Sequence, residues 1–271
     1  NSEENRLLIE DLDNTASKRY HSDSLRINED WKMGKMPDIR SEVSYFEETK
    51  EATYARIRVE NVDGLPVIYE REFVFVKNRF LVTREIVEFE EEFQAMVSPL
   101  WNTQNIGPQI GSHWANTFLS APIGGNGRFS MKSTAVDLLV WFAPRPDCQL
   151  QIIDRLTMDP RTSDCPAQLR YVWQGKAKAG QQMVFTQLYY PHLPYRFRTS
   201  DNNPGTKVEN RYDLQSTVGA SGISVLRVEL AEDEIEWIVF NPRGELIKVD
   251  NLEITHPYDH IGNKANQNSS R

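Results

Sequence analysis

Residues 71–93, REFVFVKNRFLVTREIVEFEEEF, decide the fold. Two apolar runs, 73–76 and 80–82, flank the polar Lys77-Asn78-Arg79, and Ile86-Val87-Glu88-Phe89 continues the pattern. β-Branched and aromatic residues in short runs read as strands, and the polar break between them reads as a hairpin turn. Asn78 suits that turn because its short side chain tolerates positive φ. A three-residue loop sets Glu72 opposite Arg84 and Arg71 opposite Glu85, both favourable cross-strand pairs. A two-residue loop at Lys77-Asn78 would face Arg71 to Arg84, so charge favours the longer one. The apolar runs do not alternate cleanly, which predicts that both faces of the hairpin are covered. It is expected to stand at the centre of a large antiparallel β structure.

The same signals extend along the chain. Residues 20–27, 43–46, 53–60 and 67–76 read as strands upstream. Residues 93–101, 136–143 (VDLLVWFA), 150–158, 168–174 and 183–190 follow, then 208–214, 223–230, 235–240 and 246–249. In 53–60 the period is two, with Ala55, Ile57 and Val59 on one face and Tyr54, Arg56 and Arg58 on the other. Residues 102–121, with Gly107-Pro108, Gly111 and Trp114, read as a long structured loop or irregular strands. No convincing amphipathic helix and no internal repeat is visible. A dozen or more short strands separated by turn signals predict an all-β chain: a large antiparallel β-sandwich, supersandwich-like, with few or no helices. It is expected to occupy residues 1–260 as one domain, with 261–271 (IGNKANQNSSR) as a polar, disordered tail.

Composition narrows the function. A chain of 271 residues, 39% apolar and 26% charged, can bury a sizeable core. Its net charge of −8 argues against nucleic acid or an anionic lipid surface as partner. No apolar run is long enough for a membrane span. No signal peptide is present and the first residue is Asn1, so a processed form or excised domain is expected. The 2 cysteines, Cys148 and Cys165, are too few for a disulfide framework or a zinc ribbon. They could pair in an oxidising compartment or stay unpaired. The motifs of a nucleophile elbow, a zinc protease and a phosphate loop are absent, and IGGNGR at 123–128 reads as a turn.

Three clusters could bind a ligand. Tyr54, Arg56 and Arg58 could meet a sugar ring and its carboxylate or sulfate; the alternative is a solvated strand face pairing with Glu47, Glu48 or Glu60. Trp101, Asn102, His113, Trp114 and Asn116, with Gln104 and Asn105 among them, combine amides and flat aromatics as glycan sites do. Otherwise the indoles pin a loop to a sheet. Tyr190 and His192, beside Tyr189 and Tyr195 around Pro191 and Pro194, could present Tyr and His at a strand end, or form a rigid edge.

In order along the chain stand LLIEDLD (7–13), YHSDSLRIN (20–28), ATYARIRVEN (52–61) and YEREFVFVKNRFLVTREIV (69–87). GQQMVFTQLYYPHLPY (180–195) and WIVFNPRGELI (237–247) come later. This succession resembles the β-sheet portion of heparinase II/III-like polysaccharide lyases. There a hairpin of the type Arg-x-hydrophobic, turn, hydrophobic, Asp corresponds to 71–85, and a Phe-x-Thr-x-Leu-hydrophobic-Pro strand corresponds to 185–191. The resemblance implies a sandwich that contributes to β-elimination of a uronic-acid polysaccharide, in a secreted or periplasmic protein. His21 matches a sandwich histidine near that family's active site or metal. His21 and Asp23 share a strand face and could hold a divalent ion, Zn or Ca, if further ligands completed the site. The family's His-x-His-x-Asp segment and its helical toroid are missing. The chain is therefore expected to need an N-terminal helical partner domain and to be inactive alone. The alternative reading is a non-catalytic carbohydrate-binding or structural β-sandwich.

Overall fold

The computed structural model describes residues 7–13, 40–60, 62–103, 105–118, 137–154, 167–192, 215–218, 223–231, 234–249 and 252–262. Strands run in the order β1 (Leu7–Asp11), β2 (Arg40–Glu48), β3 (Ala52–Glu60), β4 (Val67–Val76), β5 (Phe80–Phe89) and β6 (Phe93–Thr103). They continue as β7 (Asn105–Ile110), β8 (Trp114–Phe118), β9 (Asp137–Phe142), β10 (Cys148–Asp154), β11 (Ala167–Ala177) and β12 (Gln182–His192). The last are β13 (Gln215–Val218), β14 (Ser224–Ala231), β15 (Glu234–Phe240), β16 (Ile247–Val249), β17 (Leu252–Ile254) and β18 (Tyr258–Gly262). Apart from one 3₁₀ turn at Val62–Gly64, there is no helix among the described residues. The chain is all-β, as its sequence predicts.

The hairpin of β4 and β5 has the longer loop. Val76 pairs with Phe80, which leaves Lys77, Asn78 and Arg79 in the turn, and Glu72 stands opposite Arg84 and Arg71 opposite Glu85. Asn78 takes the positive φ, 62°, that the turn requires. The hairpin lies inside an eight-stranded antiparallel sheet ordered β2-β3-β4-β5-β12-β9-β8-β7.

Both faces of that sheet are covered. On one, Val67, Val87, Phe89, Val140, Phe142, Met183 and Phe185 pack against Leu7, Ile9, Val97, Leu169, Tyr171 and Trp173 of the sheet β1-β6-β11-β10. On the other, Val74, Val76, Phe80, Val82, Leu139 and Leu188 pack against Leu226, Val228, Ile238, Phe240 and Tyr258 of the sheet β13-β14-β15-β18. The sandwich therefore has three layers with the eight-stranded sheet in the middle. This explains why β5 does not alternate between apolar and polar: Phe80 and Val82 enter one core while Val87 and Phe89 enter the other. Each such side chain contributes about 1.5–3 kcal/mol of burial.

Within 102–121 the described residues, 102–103 and 105–118, follow the second of the two sequence readings. β6 runs to Thr103, and β7 and β8 extend the central sheet with a register shift between Ile106 and Ile110. Gly111 is required between them, because a Cβ there would fall 2.0 Å from Nε1 of Trp114. The strands β17 and β18 carry no strong sequence signal, and β18 takes in Ile261 and Gly262, which the sequence assigns to the tail. The predicted strands at 20–27 and 208–214 lie outside the described residues, as does Cys165. The half-buried Cys148 thiol is pushed up to about 12, chiefly by burial.

Candidate functional site

Three strands of the central sheet meet at one end, and their register decides which side chains meet. β9 lies between β12 and β8. Tyr190 and Asn116 both pair with Leu139, so these three form one row across the sheet. His192 and Phe118 both pair with Asp137, which forms the next row. Side chains two apart on a strand share a face. Asn116, Asp137, Leu139, Tyr190 and His192 therefore project from the face that also carries the buried Trp114, Trp141 and Leu188.

A diagonal contact joins the rows. Nε2 of His192 lies 3.0 Å from Oδ1 of Asn116. Asn116 and Asp137 are buried, at 1% and 0% exposure, whereas Tyr190 and His192 are half-buried. The site thus has an interior floor of amide and carboxylate under a partly accessible phenol and imidazole. A β-elimination site needs proton-transfer groups, and the two partly accessible side chains, His and Tyr, are of that kind. The sequence reading names Asn116, Tyr190 and His192 in two separate stretches, and the structure brings these three together.

The remaining candidates are dispersed. Trp101 leans on the Tyr189 ring at 4.8 Å in the core under the β1-β6-β11-β10 sheet, whereas Trp114 is 4% exposed in the opposite core. The two indoles cannot line one surface. Buried Asn102 accepts a hydrogen bond from Nε2 of Gln168 at 2.7 Å. His113 lies edge-on to Trp141 at 6.1 Å, with Nδ1 2.9 Å from the Ser112 hydroxyl.

The stripe Tyr54, Arg56, Arg58 shares one face of β3, as its period predicts, and that face is turned to carboxylates. Arg56 pairs with Glu70, and Arg58 lies 2.9 Å from Glu70 and 3.3 Å from Glu60. Burial is the largest single influence and works to lower the basicity of both guanidiniums, but their hydrogen bonds to Glu70 together with the charges of the surrounding carboxylates outweigh it and raise it. Tyr54 is buried and stacks on Tyr258 at 6.2 Å, its phenol held above the usual range by burial and then by Asp259.

His21 and Asp23 lie outside the described residues. Among the described residues no group of three or more His, Cys, Asp or Glu could hold a metal ion. Asp137 escapes the sequence reading. Its signal is a lone acid in the same alternation as Leu139 and Trp141, and therefore a charge on an interior face.

Solved structures similar to this chain include a heparinase III, at 6% identity and a TM-score of 0.45 over 82% of this chain and 27% of that one. Another is the heparan sulfate lyase HepC from Pedobacter heparinus, at 7% identity and a TM-score of 0.42, covering 82% of this chain and 28% of that one. A further heparinase III is 9% identical, with a TM-score of 0.40 over 82% and 27%. The chain thus spans little more than a quarter of the length of these proteins. No protein-family model and no curated protein sequence matches it.

Proposed function

We propose that the chain is the β-sandwich portion of a heparinase II/III-like polysaccharide lyase and contributes to β-elimination of a uronic-acid polysaccharide. The observation that carries this reading is the contact between His192 and Asn116 beside Tyr190 at one end of the central sheet. The ordered sequence resemblance supports it. In this reading a cation from the partner domain stabilises the uronate carboxylate, and buried Asn116 braces the His192 ring. One of His192 and Tyr190 takes the C5 proton, and the C5–H electrons become the C4–C5 double bond. The C4–O bond breaks with its electron pair on oxygen, and the other group supplies that oxygen with a proton. An N-terminal helical domain would form the opposite wall of the cleft, in a secreted or periplasmic protein. A divalent ion held by His21 and Asp23 belongs to the same proposal and is checked by metal analysis of wild type and His21→Ala.

The test follows the ultraviolet absorbance of unsaturated uronate when the protein containing this chain is given acidic polysaccharides. Product is expected from the whole protein, none from residues 1–271 alone, and a loss of at least about 10²-fold in His192→Ala. Absence of product from the whole protein across a panel of uronate polysaccharides would overturn the reading. A non-catalytic sandwich is the second possibility, favoured by the internal pairing of Arg56 and Arg58. It expects glycan binding or assembly without product.

A further inference from the structure

His192 reaches Asn116 across two strand spacings, about 9.6 Å, and its ring must therefore lie over β9. Directly opposite His192 on β9 is Asp137, and the next β9 residue on that face is the apolar Leu139. Opposed residues of an antiparallel pair hold their Cβ atoms about 4.5–5.5 Å apart. Both the carboxylate of Asp137 and Nδ1 of His192 lie two bonds beyond Cβ, within hydrogen-bonding reach of each other. Asp137 is fully buried. A carboxylate in such a place, facing an imidazole, makes that ring its natural donor.

We propose that Asp137 is a positioning residue for His192: its carboxylate accepts the Nδ1–H and leaves Nε2 as the nitrogen that faces Asn116 and exchanges the proton. The inference rests on the reading of His192 as a proton-transfer group. The hydrogen bond made by one ring nitrogen sets the state of the other. Asn116 accommodates both states of Nε2. Its carbonyl oxygen accepts from a protonated Nε2, and after a half-turn of the amide its nitrogen donates to a bare one. The row Asp137–His192 and the diagonal to Asn116 then form a chain from buried carboxylate through imidazole to amide. The imidazole is its one partly accessible member.

The experiment labels the 5 histidines with ¹⁵N and reads the ring-nitrogen shifts at neutral pH, with His192 assigned by the loss of its signals in His192→Gln. Nδ1 of His192 is expected to carry a proton in the wild-type protein. In Asp137→Asn, nearly the same shape, the Nδ1 signal is expected to move toward the average of the two tautomers. A bare Nδ1 in the wild type overturns the inference without any variant having to fold, and so does an unchanged spectrum in Asp137→Asn. In the whole protein, Asp137→Asn should lower kcat about 10²-fold with KM within about twofold. Protonated Nδ1 without polysaccharide cleavage would remove the proposed function and leave the Asp137–His192 pair standing. Cleavage undiminished in Asp137→Asn would remove this inference alone.

Discussion

Two ion pairs occupy adjacent positions on the same two strands and meet different surroundings. Arg71–Glu85 projects toward the β1-β6-β11-β10 layer. The Arg71 side chain keeps 21% exposure, and its Nε lies 2.8 Å and 2.9 Å from the two carboxylate oxygens. Tyr69 donates to the same carboxylate, its phenol pushed well up by burial and then by Glu85. Arg84–Glu72 projects the other way and both side chains are at 0% exposure. Here Nη1 of Arg84 donates to Ser224 at 2.9 Å, the guanidinium lies 5.0 Å from the Phe240 ring, and Tyr258 donates to Glu72 at 3.0 Å. Equal as cross-strand pairs, they differ in what covers them. One is braced mainly from within its own sheet, whereas the other ties the central sheet to β14, β15 and β18.

Breaking each pair should expose that difference. Arg84→Met leaves Glu72 charged in the interior and is expected to cost about 3–5 kcal/mol in urea unfolding. Replacing both partners, Arg84→Met with Glu72→Leu, should recover more than half of that, because no unpaired charge remains. A single-variant loss below about 1 kcal/mol would show that the layers do not depend on this tie. Glu85→Gln is expected to cost about 2 kcal/mol, since Arg71 can turn to water while Tyr69 keeps an acceptor. An equal loss for the two pairs would remove the contrast. The smallest effect belongs to the turn that sets both registers. Asn78→Ala should cost about 1 kcal/mol for placing a β-carbon at φ 62°, and Asn78→Gly should change stability by less than about 0.5 kcal/mol.

The hairpin was legible because every signal in it is local. Run length, the Asn turn and charge pairing across three residues all act within residues 71–89, and they agree. The candidate site was legible only in pieces. Asn116 and His192 are 76 residues apart, and each sits in a stretch whose local pattern shows only an amide or an imidazole. Their meeting depends on β9 inserting between β8 and β12, a long-range pairing that no short window encodes. The tryptophans were misleading for the same reason. Trp101 and Trp114 are neighbours in sequence, yet the strands that carry them belong to different sheets and their rings enter opposite cores.

By itself the sequence determined the strand character of the chain and the register of its central hairpin. Steric preference, period two and local charge act over a few residues. The tertiary structure alone decided that the sheets stack three deep, that Arg84 is enclosed while Arg71 is not, and that His192 meets Asn116 across β9. Those outcomes follow from which sheet covers which face and which strands become neighbours, and chain entropy makes such contacts a property of the whole fold.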